Sequence, residues 1–171
     1  GYSMHDAKVW KGIFDRGQPL IQLGTVVGSS LAIALIPSVT KGRLEKSPKQ
    51  FRLHIQSMMK LSLYLSAAAT VGLIAILRDV NILFFTNDIG TTSLRILAIA
   101  ILLSSLAITI ASILQGLSYI YHTGIYIGIS FILKWLFNLW LIPMYGIAGS
   151  ALATIMAITV LLVLNVMTLK L

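Results

Sequence analysis

Five long apolar runs, separated by short polar segments, make up almost all of this 171-residue chain. They are Pro19–Val39, Leu61–Leu77, Ile96–Leu114, Ile125–Ile142 and Gly146–Leu169. Each is close to the ~17–25 residues a helix needs to cross a hydrocarbon core of ~30 Å. Bilayer lipid offers no hydrogen-bond partner, so a spanning segment must satisfy its own backbone, and long unbroken runs default to helix. A transmembrane barrel would show segments of about ten residues with alternating polarity, and no such alternation is present. The expected fold is an all-α membrane protein, a bundle of five transmembrane helices.

Composition agrees. Hydrophobic residues are 57% of the chain and charged residues 11%, against roughly a quarter charged in a soluble domain. There is no cysteine, which excludes disulfides, thiolate metal sites and a cysteine nucleophile. A net charge of +8 invites a nucleic-acid reading. The placement of the charges points elsewhere. Lys41, Arg43, Lys46, Lys49, Arg52 and Lys60 crowd into one inter-span segment, as in a cytoplasmic loop near anionic lipid. With Lys170 they lie on one side. Lys8, Lys11, Arg16, Arg78 and Arg95 lie on the other. This bias predicts a cytoplasmic 41–60 segment, an external segment over 1–18 and a cytoplasmic C-terminus. No hydrophobic span or signal peptide precedes Gly1, so the expectation is a piece of a larger protein with at least one helix upstream.

Local signals refine the pass. Trp10 and Phe14 suit an interfacial belt, as do Tyr119, Tyr121, Tyr126, Trp140 and Tyr145. Pro19 fits a first helical turn, and Pro37 should kink or end the first span. Gly24, Gly28 and Ala32 share a face that admits a close neighbouring helix. Ser47, Pro48 and Gln50 read as the start of a helix. Its apolar face carries Phe51, Ile55, Met58 and Met59, and its polar face Lys49, Arg52, Gln56 and Lys60. That pattern predicts an amphipathic segment at the headgroups running into the second span. Arg78-Asp79 should end that span, with a turn over Thr86–Thr92. Pro143–Gly146 reads as a tight turn before a final span rich in small residues.

Candidate functional residues are few. The chain has no phosphate loop, zinc-protease motif or nucleophile elbow, so an enzyme is not expected. The five carboxylates, Asp6, Asp15, Glu45, Asp79 and Asp88, all fall outside the spans, and His5, His54 and His122 have no ligand spacing. No metal or cofactor is implied. Lys134 is the exception. It is a cation near the middle of the fourth span, with Asn138 one turn on. Such a charge needs a partner or a wet cavity. It reads either as a site for an anionic substrate group or as a lysine that pairs with another helix or snorkels. Arg16, with Gln18 and Gln22, sits at the external mouth of the first span. It could grip phosphate or pair with Asp15.

Some of these stretches resemble a known family. Gly12–Gly24 (GIFDRGQPLIQLG), the apolar run to Pro37, and Lys134, Asn138 and Leu141–Thr154 (LIPMYGIAGSALAT) are similar, in order and spacing, to one lobe of the MOP flippase superfamily. The nearest branch is that of polysaccharide transporters, stage V sporulation protein B and lipid II flippases. The resemblance implies a transporter of two six-helix lobes around a central cavity, of which this chain matches five helices of the C-terminal lobe. It implies translocation of an undecaprenyl-diphosphate-linked oligosaccharide, such as the peptidoglycan precursor lipid II, across the bacterial cytoplasmic membrane. The implied partners are that lipid-linked sugar diphosphate, membrane lipids and the rest of the transporter. A multidrug and toxin extruder of the same superfamily is the alternative within it, and a non-catalytic scaffold for cell-wall enzymes is the alternative outside it. Lys134, Asn138, Arg16 and Gln22 are the candidate substrate-binding residues.

Overall fold

The computed structural model describes residues 4–44, 48–86 and 88–169. It is helical throughout, with no strand among the described residues. Five helices follow in order: α1 (Met4–Leu44), α2 (Pro48–Phe85), α3 (Thr91–Gly116), α4 (Ile120–Tyr145) and α5 (Ile147–Leu169). Among the described residues, four stretches are long and apolar enough to cross a membrane: Phe51–Phe85 and the whole of α3, α4 and α5. Much of the apolar stretch of α1, including Gly28 and Ala32, lies outside the described side chains, as do Ser47 and Gln50.

The connections are short, so successive helices run antiparallel. One end of the bundle gathers the starts of α1, α3 and α5 with the ends of α2 and α4. There Gly90 (φ 81°) packs under Ile13, and Gly146 (φ 58°) lies under the Trp10 ring. At the other end Val39, Ile55, Met58 and Ile113 form a buried cluster, with Phe51, Met59, Leu117 and Leu169 packed on it. That cluster changes one expectation. The apolar face of the 48–60 segment is helical, but it packs on α1 and α3 rather than into headgroups. Lys49, Arg52, Gln56 and Lys60 remain exposed.

Residues that stand out as boundary marks in the sequence lie inside helices at four places. Pro19 and Pro37 both lie inside α1. A membrane helix tolerates such breaks in its ladder where neighbours and hydroxyls satisfy the freed groups. The polar 1–18 segment is therefore helical from Met4 and continuous with the first apolar run. Arg78-Asp79 lies inside α2, which runs on to Phe85. Both side chains are exposed, and the helix continues because Asn81, one turn on, anchors the following turn. Its Nδ2 donates to Thr91 Oγ1 (3.1 Å) and to Ile89 O (3.3 Å). Finally, α4 runs through Pro143 to Tyr145, so the turn before α5 shrinks to Gly146.

Beside apolar residues such as Leu97, Ile101 and Leu114, many polar ones are buried, and many large apolar ones are exposed. Among the buried residues are Ser62, Ser66, Thr70, Ser105, Thr109, Ser112 and Asn165, while Phe131 and Trp140 are 75% and 79% exposed. Lipid tails supply no hydrophobic force between helices, so small and hydroxylated side chains fill the contacts and large apolar ones face the tails. Ser66, Thr70 and Thr109 donate to their own helices, as Ser66 to Ser62 O (2.7 Å) and Thr109 to Ser105 O (2.8 Å). A few cross between helices. Ser62 and Thr109 join α2 to α3 at 2.7 Å. Ser130 donates to Ala157 O at 2.8 Å, joining α4 to α5. The central element is α3, which packs on α1, α2 and α5, whereas α1 and α5 barely meet.

Candidate functional site

The gap between α1 and α5 creates a groove whose floor is α3. Leu97 and Ala100 of α3 and Ala151 of α5 are buried beneath it, with Ile21 and Ile158 packed alongside. The groove encloses about 320 Å³. Its polar wall on α1 is Gln18, Gln22 and Thr25, residues at i, i+4 and i+7 that share one helical face. Ser104 of α3, Thr154 of α5 and Lys134 of α4 complete it.

Each hydroxyl has a readable role. Thr25 donates to Ile21 O at 2.8 Å and Thr154 to Ser150 O at 2.9 Å. Their protons are engaged by their own helices, so they offer lone pairs to the groove. The strong donors are then the Lys134 ammonium and the amides of Gln18 and Gln22. Lys134 is half-buried, and no carboxylate among the described residues pairs with it. By insertion scales a lysine at mid-helix costs about 3 kcal/mol, and here a groove with room for several waters offsets that cost.

Of the four candidates from the sequence, the groove brings two together, Lys134 and Gln22. Asn138 is not among the lining residues. It is partly buried one turn further along α4, and its Oδ1 has no hydrogen-bond partner among the described residues. Arg16 points to a different neighbour. Its guanidinium stacks over the Phe85 ring at the end of α2, 4.7 Å from the ring centroid, a cation–π contact. It does not line the groove. At the same end Arg78 and Asp88 form an ion pair at 3.9 Å, with both side chains well exposed. Thr25, Ser104 and Thr154 are the lining residues that sequence reasoning missed. The signal for the first was the polar stripe through positions 18, 22 and 25.

No family model and no solved structure matches the chain. Two curated proteins are similar to it. One is the uncharacterized membrane protein YabM of Bacillus subtilis, 41% identical over 170 residues, a match covering 99% of this chain and 32% of that protein. The other is the uncharacterized membrane protein MJ1375 of Methanocaldococcus jannaschii, 30% identical over 148 residues, covering 85% of this chain and 34% of that protein. The chain spans about a third of the length of these relatives. Helices of this length and polarity, together with membrane-protein relatives, make the chain an all-helical, multi-pass membrane protein.

Proposed function

We propose that this chain forms part of a flippase of the MOP superfamily that carries an undecaprenyl-diphosphate-linked oligosaccharide, most simply lipid II, across the bacterial cytoplasmic membrane. The observation that carries this reading is the cation in the groove. Lys134 stands among amides and hydroxyls at mid-helix depth with no carboxylate beside it among the described residues. A diphosphate would gain a charge-assisted hydrogen bond there. Gln18 and Gln22 would hold phosphate or sugar oxygens without adding charge. A single lysine attracts the anion without trapping it, as a carrier requires. A cation-exporting drug transporter would favour an acidic wall, and the described residues that line this groove include no carboxylate. In this reading Lys41, Lys49, Arg52 and Lys60 face the cytoplasm, and the Gly90–Gly146 end faces outward.

The test is Lys134→Met in the protein at its natural length. It should keep its folded yield in membranes and lose most precursor export, while Lys134→Arg keeps part of the activity. Normal complementation of a flippase-depleted strain by Lys134→Met would remove the substrate role.

A further inference from the structure

Toward the Gly90 end the chemistry between α1 and α5 changes. The α1 stripe continues upward as Phe14 and Trp10, and the α5 stripe as Ser150 and Ile147. With Ile142 at the end of α4 these residues enclose a second cavity of about 270 Å³. Among the described residues its polar side-chain groups are few: the Ser150 hydroxyl, the Lys11 ammonium and the Trp10 indole N–H. The Trp10 ring rests on Gly146, where an added Cβ would lie 3.0 Å from the ring. A neighbouring recess of about 300 Å³ shares Trp10, Gly146 and Ile147.

Three features narrow the occupant. The first is depth. Trp10 sits at the same end as Tyr145 and Trp140, which are 56% and 79% exposed, and such aromatic belts mark the headgroup level. The second is wall chemistry. A sugar or nucleotide entering so apolar a chamber would give up more hydrogen bonds to water than it could regain, and each unpaired polar group costs about 1–3 kcal/mol. A hydrocarbon chain carries no such penalty. The third is charge. Lys11 and Lys8 are exposed on the rim. The carboxylate of Asp15, one turn from Lys11, is also exposed, yet no ion pair joins Lys11 to a described carboxylate.

We propose that this chamber binds an anionic phospholipid, with an acyl chain against Trp10, Phe14, Ile142 and Ile147 and the phosphate at Lys11. The site is independent of the transport reading and stands whether or not Lys134 holds a substrate.

A photo-crosslinking experiment in the full-length protein tests it. Benzoylphenylalanine replaces Phe14 in one variant and Trp10 in another, so that two levels of the α1 wall report. A third variant carries it at Phe131, on the outward face of α4. Each is reconstituted in vesicles of equimolar phosphatidylglycerol and phosphatidylcholine, and lipid adducts are read by mass spectrometry. The ratio of phosphatidylglycerol to phosphatidylcholine adducts at 14 and 10 should exceed that at 131 by about fivefold, equivalent to about 1 kcal/mol for one lysine near a membrane surface. Lys11→Gln, an exposed change, should return the ratio to that at 131. Ratios at 14 and 10 equal to that at 131 would overturn the proposal. So would adducts to protein rather than lipid, which would mean that another part of the chain fills the chamber.

Discussion

Glycines separate into two kinds at the level of single residues. Gly149 starts the small-residue face of α5, and an added Cβ there would collide with the carbonyl of Leu141 on α4. A backbone atom cannot step aside as a side-chain end can. Gly12 has nothing within 4 Å of such a Cβ. Gly149→Ala should therefore cost about 1–3 kcal/mol by overpacking, which lowers the melting temperature by about 2–4 °C per kcal/mol. Gly12→Ala should leave it unchanged or raise it, because alanine is the better helix former by up to ~1 kcal/mol. Thermal unfolding of both variants in one detergent decides, and equal melting temperatures would mean that α4 and α5 do not approach this closely. Residue identity was a partial guide to the site. Lys134 stood out because a lone charge in an apolar run has few explanations. Thr25, Ser104 and Thr154 did not, because hydroxyls occur just as often on packing faces such as those of Ser62 and Thr109. Arg16 was placed at the mouth from its neighbours in sequence. Its contact with Phe85 depends on how α1 meets α2, which no local pattern encodes.

Between elements, the α1–α3 contact is the tightest test of the packing. Gly24 faces Ile101, whose Cδ1 would lie 2.6 Å from an added Cβ. That methyl can rotate away from an alanine but not from a leucine. Gly24→Leu should sharply lower the monodisperse yield after detergent extraction, whereas Leu23→Ala, at a position 67% exposed, should not. Similar yields for the two would refute the interface. The existence of the helices was legible because hydrocarbon leaves an apolar run no alternative. Their ends were less so. Proline commonly terminates a helix in water, where a freed carbonyl can be hydrated, and a charge marks where an apolar run stops rather than where a helix does. Here Pro19, Pro37, Arg78 and Asp79 all sit within helices. The stops that operate are backbone ones. After α3, Ser118 takes φ 71°, and the amides of Leu117, Ser118 and Tyr119 close onto Ile113, Gln115 and Leu114, the left-handed ending that glycine usually supplies.

For the molecule as a whole, the first question is orientation. In a cysteine-free background of the full-length protein, a cysteine at Thr92, exposed beside the Gly90 turn, should label with a membrane-impermeant maleimide in intact cells. A cysteine at Gln56, exposed among Lys49, Arg52 and Lys60, should label only after lysis. Reversed labelling would invert the proposed topology, and with it the leaflet from which the Trp10 chamber draws lipid. The second question is what the bundle can do as a body. Its contacts divide it into two leaves, α1 with α2 and α4 with α5, both bound along the single spine of α3. Across the groove the leaves share almost no area, so spreading or closing them moves little apolar surface relative to stripping either leaf from the spine. The soft coordinate of this molecule is therefore the angle between the leaves, and Lys134 rides on one leaf while Gln18 and Gln22 ride on the other. A change of that angle alters the reach between cation and amides directly, without any helix having to unwind.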